Sequence, residues 1–265
     1  MQLEITKAIH AAVKGGQAIM EVYKKDFSVE YKDDKSPLTE ADRAADRVIK
    51  KELGEQYPIL SEEGKAIDYN ERKTWDRFWM VDPLDGTKEF IKKNDEFTVN
   101  IALIENEKPV LGVVYVPATQ QLFFADNEIG AYVITIDDHT DTTDISRLRA
   151  ASKKLQAGQR PSVYTIVASR SHLSPETQVF IDQCKKEQGQ IETISKGSSL
   201  KLCLVAEGNA DVYPRIAPTM EWDTAAAHAI AKFAGCSVLN FDTGEELIYN
   251  KPNLLNPYFI VRNER

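Results

Sequence analysis

The chain has 265 residues, 42% of them hydrophobic, enough for one large domain or two medium ones with real cores. Its 41 acidic residues exceed its 33 basic ones, a net charge of −8 that argues against a nucleic-acid binder, which would present a basic surface. No run of about 18 apolar residues occurs, so no membrane-spanning helix is expected.

Leu3 to Lys24 carries an amphipathic stripe that predicts a first helix, interrupted by Gly15-Gly16. Its charges, and the lack of an apolar core and cleavage site, do not fit a signal peptide. A cytoplasmic location is therefore expected, with peripheral contact at the inner membrane left open. Thr39 opens a second helix to about Gln56, stopped by Pro58. Ile59-Leu60-Ser61 and Arg77 to Val81 read as strands. Thr98 to Ile104 and Val110 to Val116 form a hairpin, continued by Leu122 to Ala125 and Tyr132 to Ile136. The acidic stretch Asp137 to Asp144 is an expected exposed turn, and Lys153 to Pro161 an expected linker.

After this the pattern alternates. Strands are predicted at Val163 to Ala168, Ile191 to Ile194, Ala210 to Tyr213, Ser237 to Leu239 and Tyr258 to Val261. Helices are predicted at Pro175 to Glu187, Ser198 to Glu207 and Trp222 to Ala234. The expected organisation is an α+β half over 1–152 with an antiparallel sheet, and an α/β half over 160–265. Cys184, Cys203 and Cys236 lack CxxC spacing and fit reduced thiols, not disulfides or a zinc site.

The sharpest motif is Asp82-Pro83-Leu84-Asp85-Gly86-Thr87, directly after an apolar strand. Two carboxylates stand at an expected tight turn, with a helix predicted from Thr87 whose free N–H groups suit an anion. Carboxylates there would repel a phosphate unless a cation lay between them, and hard oxygen ligands select Mg²⁺, Mn²⁺ or Ca²⁺. For one Asp, an Asx-turn would be the better reading; for the pair, metal binding is favoured. The spacing DxxDGT does not match the DxDGT of aspartyl-phosphate phosphatases. Glu62-Glu63 follows a second short strand; alone it would read as a solvated turn.

Thr39-Glu40-Ala41-Asp42 fits a capping box or a catalytic role, and the two are compatible. Asp223, at a helix start, could equally be an N-cap. Ser198 and Lys201 in Gly197-Ser198-Ser199-Leu200-Lys201, Arg215 at a strand end, and His172 in Ser169-Arg170-Ser171-His172 are individually weak signals of anion binding. His10, His139 and His228 receive no functional role.

Taken together, DPLDGT, the upstream Ser61-Glu62-Glu63 and the downstream WDTAA resemble the inositol monophosphatase superfamily of metal-dependent, lithium-sensitive phosphomonoesterases. The resemblance covers nearly the whole chain. DPLDGTKEFI, FTVNIALI, LGVVY, SRSH and YPR are similar to its bacterial 3′(2′),5′-bisphosphate nucleotidases, which remove the 3′-phosphate of 3′-phosphoadenosine 5′-phosphate (PAP), a by-product of sulfate assimilation. Inositol monophosphatases proper usually carry TTNF where this chain has Thr87-Lys88-Glu89-Phe90.

The resemblance implies a layered αβαβα sandwich and two or three Mg²⁺ ions. It implies that Glu62, Asp82 and the Leu84 carbonyl hold one ion, and Asp82, Asp85 and Asp223 a second. Gly86 and Thr87 would cradle the phosphate, and Asp42, Thr87 and Glu62 would serve catalysis. Ser198, Lys201, Arg215 and His172 would contact an adenosine bisphosphate. The alternatives are an inositol-1-phosphate or sugar-phosphate phosphatase, a non-catalytic phospho-ligand sensor, and a scaffold protein.

Overall fold

The computed structural model describes residues 1–25, 29–31, 37–158, 161–168 and 174–264. In chain order the elements of the first part are α1 (Gln2–Tyr23), β1 (Val29–Tyr31), β2 (Pro37–Thr39), α2 (Glu40–Leu53), β3 (Ile59–Ser61), α3 (Tyr69–Arg72), β4 (Arg77–Asp85) and α4 (Thr87–Ile91). There follow β5 (Thr98–Glu105), β6 (Lys108–Val116), β7 (Gln121–Asp126), β8 (Gly130–Thr135), α5 (Ile145–Ala151) and β9 (Lys153–Leu155). The remainder is β10 (Tyr164–Val167), α6 (Pro175–Gln188), β11 (Ile191–Ile194), α7 (Leu200–Ala206), β12 (Val212–Arg215), α8 (Glu221–Phe233), β13 (Ser237–Asn240) and β14 (Phe259–Arg262).

Strands β3 to β9 form a seven-stranded sheet in sequence order. Every pairing in it is antiparallel except β3 with β4, which run parallel and place Ser61 opposite Val81. A second, five-stranded sheet has the order β11-β10-β12-β14-β13 and is mixed rather than uniformly parallel: β10 pairs in parallel with β11 and β12, and β14 antiparallel with β12 and β13.

Alternation along the central strands assigns their side chains to two layers. Val99, Ile101 and Leu103 of β5 join Ile5, Ile9, Ala45 and Ile49 of α1 and α2 in one buried cluster. Ala102 and Ile104, on the other face, join residues of α7, α8 and the five-stranded sheet. Beyond that sheet, Ile181 and Cys184 of α6 cover Ile166, Val212 and Ile260. The stacking is therefore helix, sheet, helix, sheet, helix, as the resemblance implies.

Helix α8 lies between the sheets, so it is buried over most of its surface: Ala225, Ala226, Ala227, Ala229 and Ala231 are all buried, as are the polar Glu221, Thr224 and His228. Its approach to β6 is set by Gly112, where a Cβ would stand 2.2 Å from the Ala226 carbonyl oxygen.

Three expectations need correction. The expected linker from Lys153 opens with a strand: Lys153–Leu155 pairs with β8 and closes the sheet edge, because Leu155 buries itself opposite Ala131. The acidic motif does not turn at Asp82-Pro83. Strand β4 continues to Asp85 through a register shift between Asp82 and Asp85, and the turn comes at Gly86, whose φ of 93° suits glycine. The short helices α3 and α5, too brief for a periodic signal, are additional. Cys184, Cys203 and Cys236 are free, as expected, and all three are buried.

Candidate active site

The parallel pairing of β3 with β4 builds the site. Because Ser61 lies opposite Val81, the next residues, Glu62 just past the end of β3 and Asp82 still within β4, stand side by side, and the Glu62 N–H donates to the Val81 carbonyl at 3.1 Å. Asp82 is almost wholly buried. Its Oδ1 accepts the Leu84 N–H at 3.0 Å, so the Asx-type bond and the acidic cluster exist together. Helix α8 brings the third carboxylate. Asp223 occupies the third helical position rather than the N-cap, and its Oδ2 accepts the Met220 N–H at 2.9 Å. One carboxylate oxygen from each of Glu62, Asp82 and Asp223 lies within 4.8 Å of the others. Residues 141 positions apart in the chain (223 − 82) thus meet at one point.

Asp85 stands beside this group and is tied to the start of α7. Its Oδ2 accepts the Ser199 N–H at 2.6 Å and the Asn100 side-chain amide at 3.4 Å. Ser199 donates its hydroxyl to Asn100 Oδ1 at 2.8 Å and lies 2.9 Å from the Thr98 hydroxyl. Thr98, Asn100 and Ser199 were not singled out from the sequence. The available signal was the polar pair Thr98 and Asn100, two apart in a strand whose other residues up to Ile104 are Val, Ile, Ala and Leu.

Charge in this cluster is unbalanced. Burial first, then repulsion from Glu62, Asp85, Asp223 and Asp42, pushes the Asp82 carboxyl well above the usual carboxylate range. Burial, then repulsion from Asp85, does the same to Asp223. Asp85 is raised to about 6 by burial, against the pull of Lys201 and the Ser199 N–H. Carboxylates so arranged bind protons or cations, and their hard oxygen donors fit a divalent ion.

Asp42 caps α2 and also reaches Thr87. Its Oδ2 accepts the Thr39 N–H at 2.7 Å and the Thr39 hydroxyl at 2.6 Å, capping α2. Its Oδ1 accepts the Thr87 hydroxyl at 3.2 Å. The same hydroxyl lies 3.5 Å from the Leu84 carbonyl oxygen.

Asp85, Gly86, Ser198, Lys201, Arg215 and Asp223 line a single pocket of about 180 Å³. Lys201 is half-buried, and its ammonium donates to the Ser198 carbonyl at 2.7 Å. Burial lowers its pKa, with Asp85 opposing. Arg215 donates from Nη2 to the Pro218 carbonyl at 2.7 Å. Ser198 adopts a φ of 44° and donates its hydroxyl to the Glu96 carbonyl at 3.0 Å. The structure therefore brings together every site residue named from the sequence except His172, which lies outside the described residues. Among the unassigned histidines, His228 is buried and lies 2.9 Å from the Tyr249 hydroxyl.

The chain belongs to the inositol monophosphatase family, whose family model matches residues 1–263. Members of this family are metal-dependent phosphatases, and the protein is an enzyme of that class. It is 44% identical over 257 residues to the 3′(2′),5′-bisphosphate nucleotidase CysQ of Salmonella typhimurium, covering 94% of this chain and 96% of that one. It is 43% identical over 257 residues to the protein of the same name from Escherichia coli, with the same coverage. The crystal structure of CysQ from Bacteroides thetaiotaomicron, described as a bacterial member of the inositol monophosphatase family, superposes with a TM-score of 0.90. It is 49% identical and covers 100% of this chain and 98% of that one. Among the described residues no helix is long and apolar enough to cross a membrane.

Proposed function

We propose that this protein is a Mg²⁺-dependent 3′(2′),5′-bisphosphate nucleotidase that hydrolyses PAP to AMP and phosphate, with its place in sulfate assimilation and its site in the cytoplasm. The observation that carries this reading is one pocket in which Asp85 and Asp223 stand with Lys201 and Arg215. A bisphosphate needs cations at two places. An acidic cluster can hold metal ions for the phosphate that leaves, and basic side chains can hold the phosphate that stays. The likeness to proteins named for that activity, at 43 and 44% identity, supports it.

In this reading Glu62, Asp82, Asp85, Asp223 and the Leu84 carbonyl would hold two or three Mg²⁺ ions. When bound, the ions would activate water, orient the phosphate and stabilise the leaving oxygen. The chain's own groups do the rest. Gly86 and Thr87 face the transferring phosphate with backbone N–H groups. Thr87, its hydroxyl hydrogen committed to Asp42, offers its lone pairs to the attacking water and orients it. Ser198, Lys201 and Arg215 bind the nucleotide with His172. The halves 1–152 and 160–265 would each supply part of the site, as Asp82 and Asp223 do. Inhibition by lithium belongs to the same reading.

The test is phosphate release from PAP and from inositol-1-phosphate, side by side, with Mg²⁺ and with EDTA. A Mg²⁺-dependent preference for PAP is expected. A preference for inositol-1-phosphate would overturn the substrate, and PAP binding without release would mark a sensor.

A further inference from the structure

The start of α8 is held from one side by a residue far along the chain. The side chain of Asn256 is buried, and its amide nitrogen lies 2.8 Å from the Met220 carbonyl oxygen, 3.0 Å from Thr224 Oγ1 and 3.3 Å from Thr219 Oγ1. Its backbone N–H donates to the Thr219 carbonyl at 2.8 Å. The neighbouring Leu255 bridges to Met220, and the Leu254 carbonyl accepts the Glu221 N–H. All the acceptors of Asn256 flank Asp223. Met220 is gripped at both ends: its N–H goes to the Asp223 carboxylate and its carbonyl to the Asn256 amide.

The orientation of that amide is fixed, because its two hydrogens face three oxygens and Thr224 already spends its own hydrogen on the Glu221 carbonyl. Among the described residues, Asn256 Oδ1 has no donor. A buried carbonyl without a donor opposes folding, while the two hydrogens of the same amide stabilise the start of α8. What the position gains is a two-hydrogen donor aimed at the residues around Asp223.

We propose that Asn256 is a positioning residue that sets the Asp223 carboxylate against Glu62 and Asp82 and thereby tunes divalent-cation affinity. This rests on the metal-binding reading of the cluster given above. Groups that hydrogen-bond a metal ligand without touching the metal are worth about 10- to 100-fold in affinity, and Asn256 acts on Asp223 through Met220, whose N–H makes that bond. The remainder of α8 is pinned independently by its buried alanines against β6, so loss of the amide leaves the fold in place.

The test is Mn²⁺ binding to the full chain without substrate, read by the electron paramagnetic resonance of free Mn²⁺. Four proteins are compared: native, Asn256→Ala, Asp223→Asn and the double variant. Asn256→Ala is expected to weaken one Mn²⁺ site at least tenfold, and to add nothing in the Asp223→Asn background. Native affinity in Asn256→Ala, or an equal loss in both backgrounds, would overturn the proposal. Native affinity in Asp223→Asn would instead overturn the metal site itself. If Asn256→Ala does not fold, Thr224→Val, which removes an acceptor of the same amide, is read by the same criteria.

Discussion

The Thr87 hydroxyl reaches back 45 residues to Asp42 Oδ1, while the other oxygen of Asp42 is occupied by the Thr39 cap. The cap therefore fixes the carboxylate, and the carboxylate fixes the rotamer of Thr87. Thr87→Val keeps the shape and loses the hydroxyl. It is expected to lower kcat by about 10²- to 10⁴-fold, the usual worth of a positioned proton-handling group. Mn²⁺ affinity should be unchanged, and Thr87→Ser should recover most of the rate. A Thr87→Val enzyme with native kcat would remove Thr87 from the mechanism.

Asp82 sits at the centre of the acidic group, buried and repelled by four carboxylates. In the proposed metal site Asp82→Asn removes a ligand and a source of repulsion together. Turnover should be nearly abolished even at saturating Mg²⁺, while the EDTA-treated variant should melt above the EDTA-treated native protein. Near-normal turnover would sink the assignment of Asp82 as a metal ligand.

The raised carboxylates also make stability depend on pH. For Asp85, ordinarily near 3.8 and here about 6, the sign follows from proton binding: the folded state holds the proton more tightly. Its contribution is fully present below 3.8 and lost as pH rises through about 6. Asp82 and Asp223 are shifted the same way. In EDTA the protein should melt at a lower temperature at pH 7.5 than at pH 5. Because the metal requires deprotonated ligands, the rise in melting temperature on adding Mg²⁺ should be larger at pH 7.5. A rise independent of pH across that window would count against metal binding by these groups.

Substrate choice is tested at the basic side of the pocket. Lys201→Ala and Arg215→Ala should each lower kcat/KM for PAP at least tenfold more than for inositol-1-phosphate, since only the bisphosphate has a second phosphate to lose contact with. Equal losses on both substrates would favour an inositol or sugar phosphatase.

Much of this site was legible in the sequence because its chemistry is concentrated in short acidic runs at strand ends. Asp82 and Asp85 in DPLDGT could be read directly, whereas Glu62 after Leu60-Ser61 and Asp223 in WDTAA gained a metal role only from the family resemblance; the two-fold and 3.6-fold apolar periods placed most elements around them. What escaped depends on tertiary pairing. Lys153–Leu155 has two lysines and looks like linker until Leu155 meets Ala131. Ser199 matters because its N–H finds Asp85, 114 residues away. Asn256 lies in irregular chain, between Leu255 and Pro257, with no local pattern to mark it.

The packing of α8 provides the last prediction. A Cβ on Gly112 would stand 2.2 Å from the Ala226 carbonyl oxygen and 2.8 Å from Ala229 Cβ. The first contact is with backbone, which cannot rotate away as a side chain can. Gly112→Ala must therefore push β6 and α8 apart, at a cost of about 1–3 kcal/mol or more for overpacking in a core. The urea midpoint should fall accordingly. Because α8 carries Asp223, Mn²⁺ affinity should fall with it. Adding Ala229→Gly relieves only the side-chain clash, so the double variant should remain well below the native midpoint. A native midpoint in Gly112→Ala would show that the two layers can separate at little cost, and that the close approach of α8 to β6 does not fix the position of Asp223.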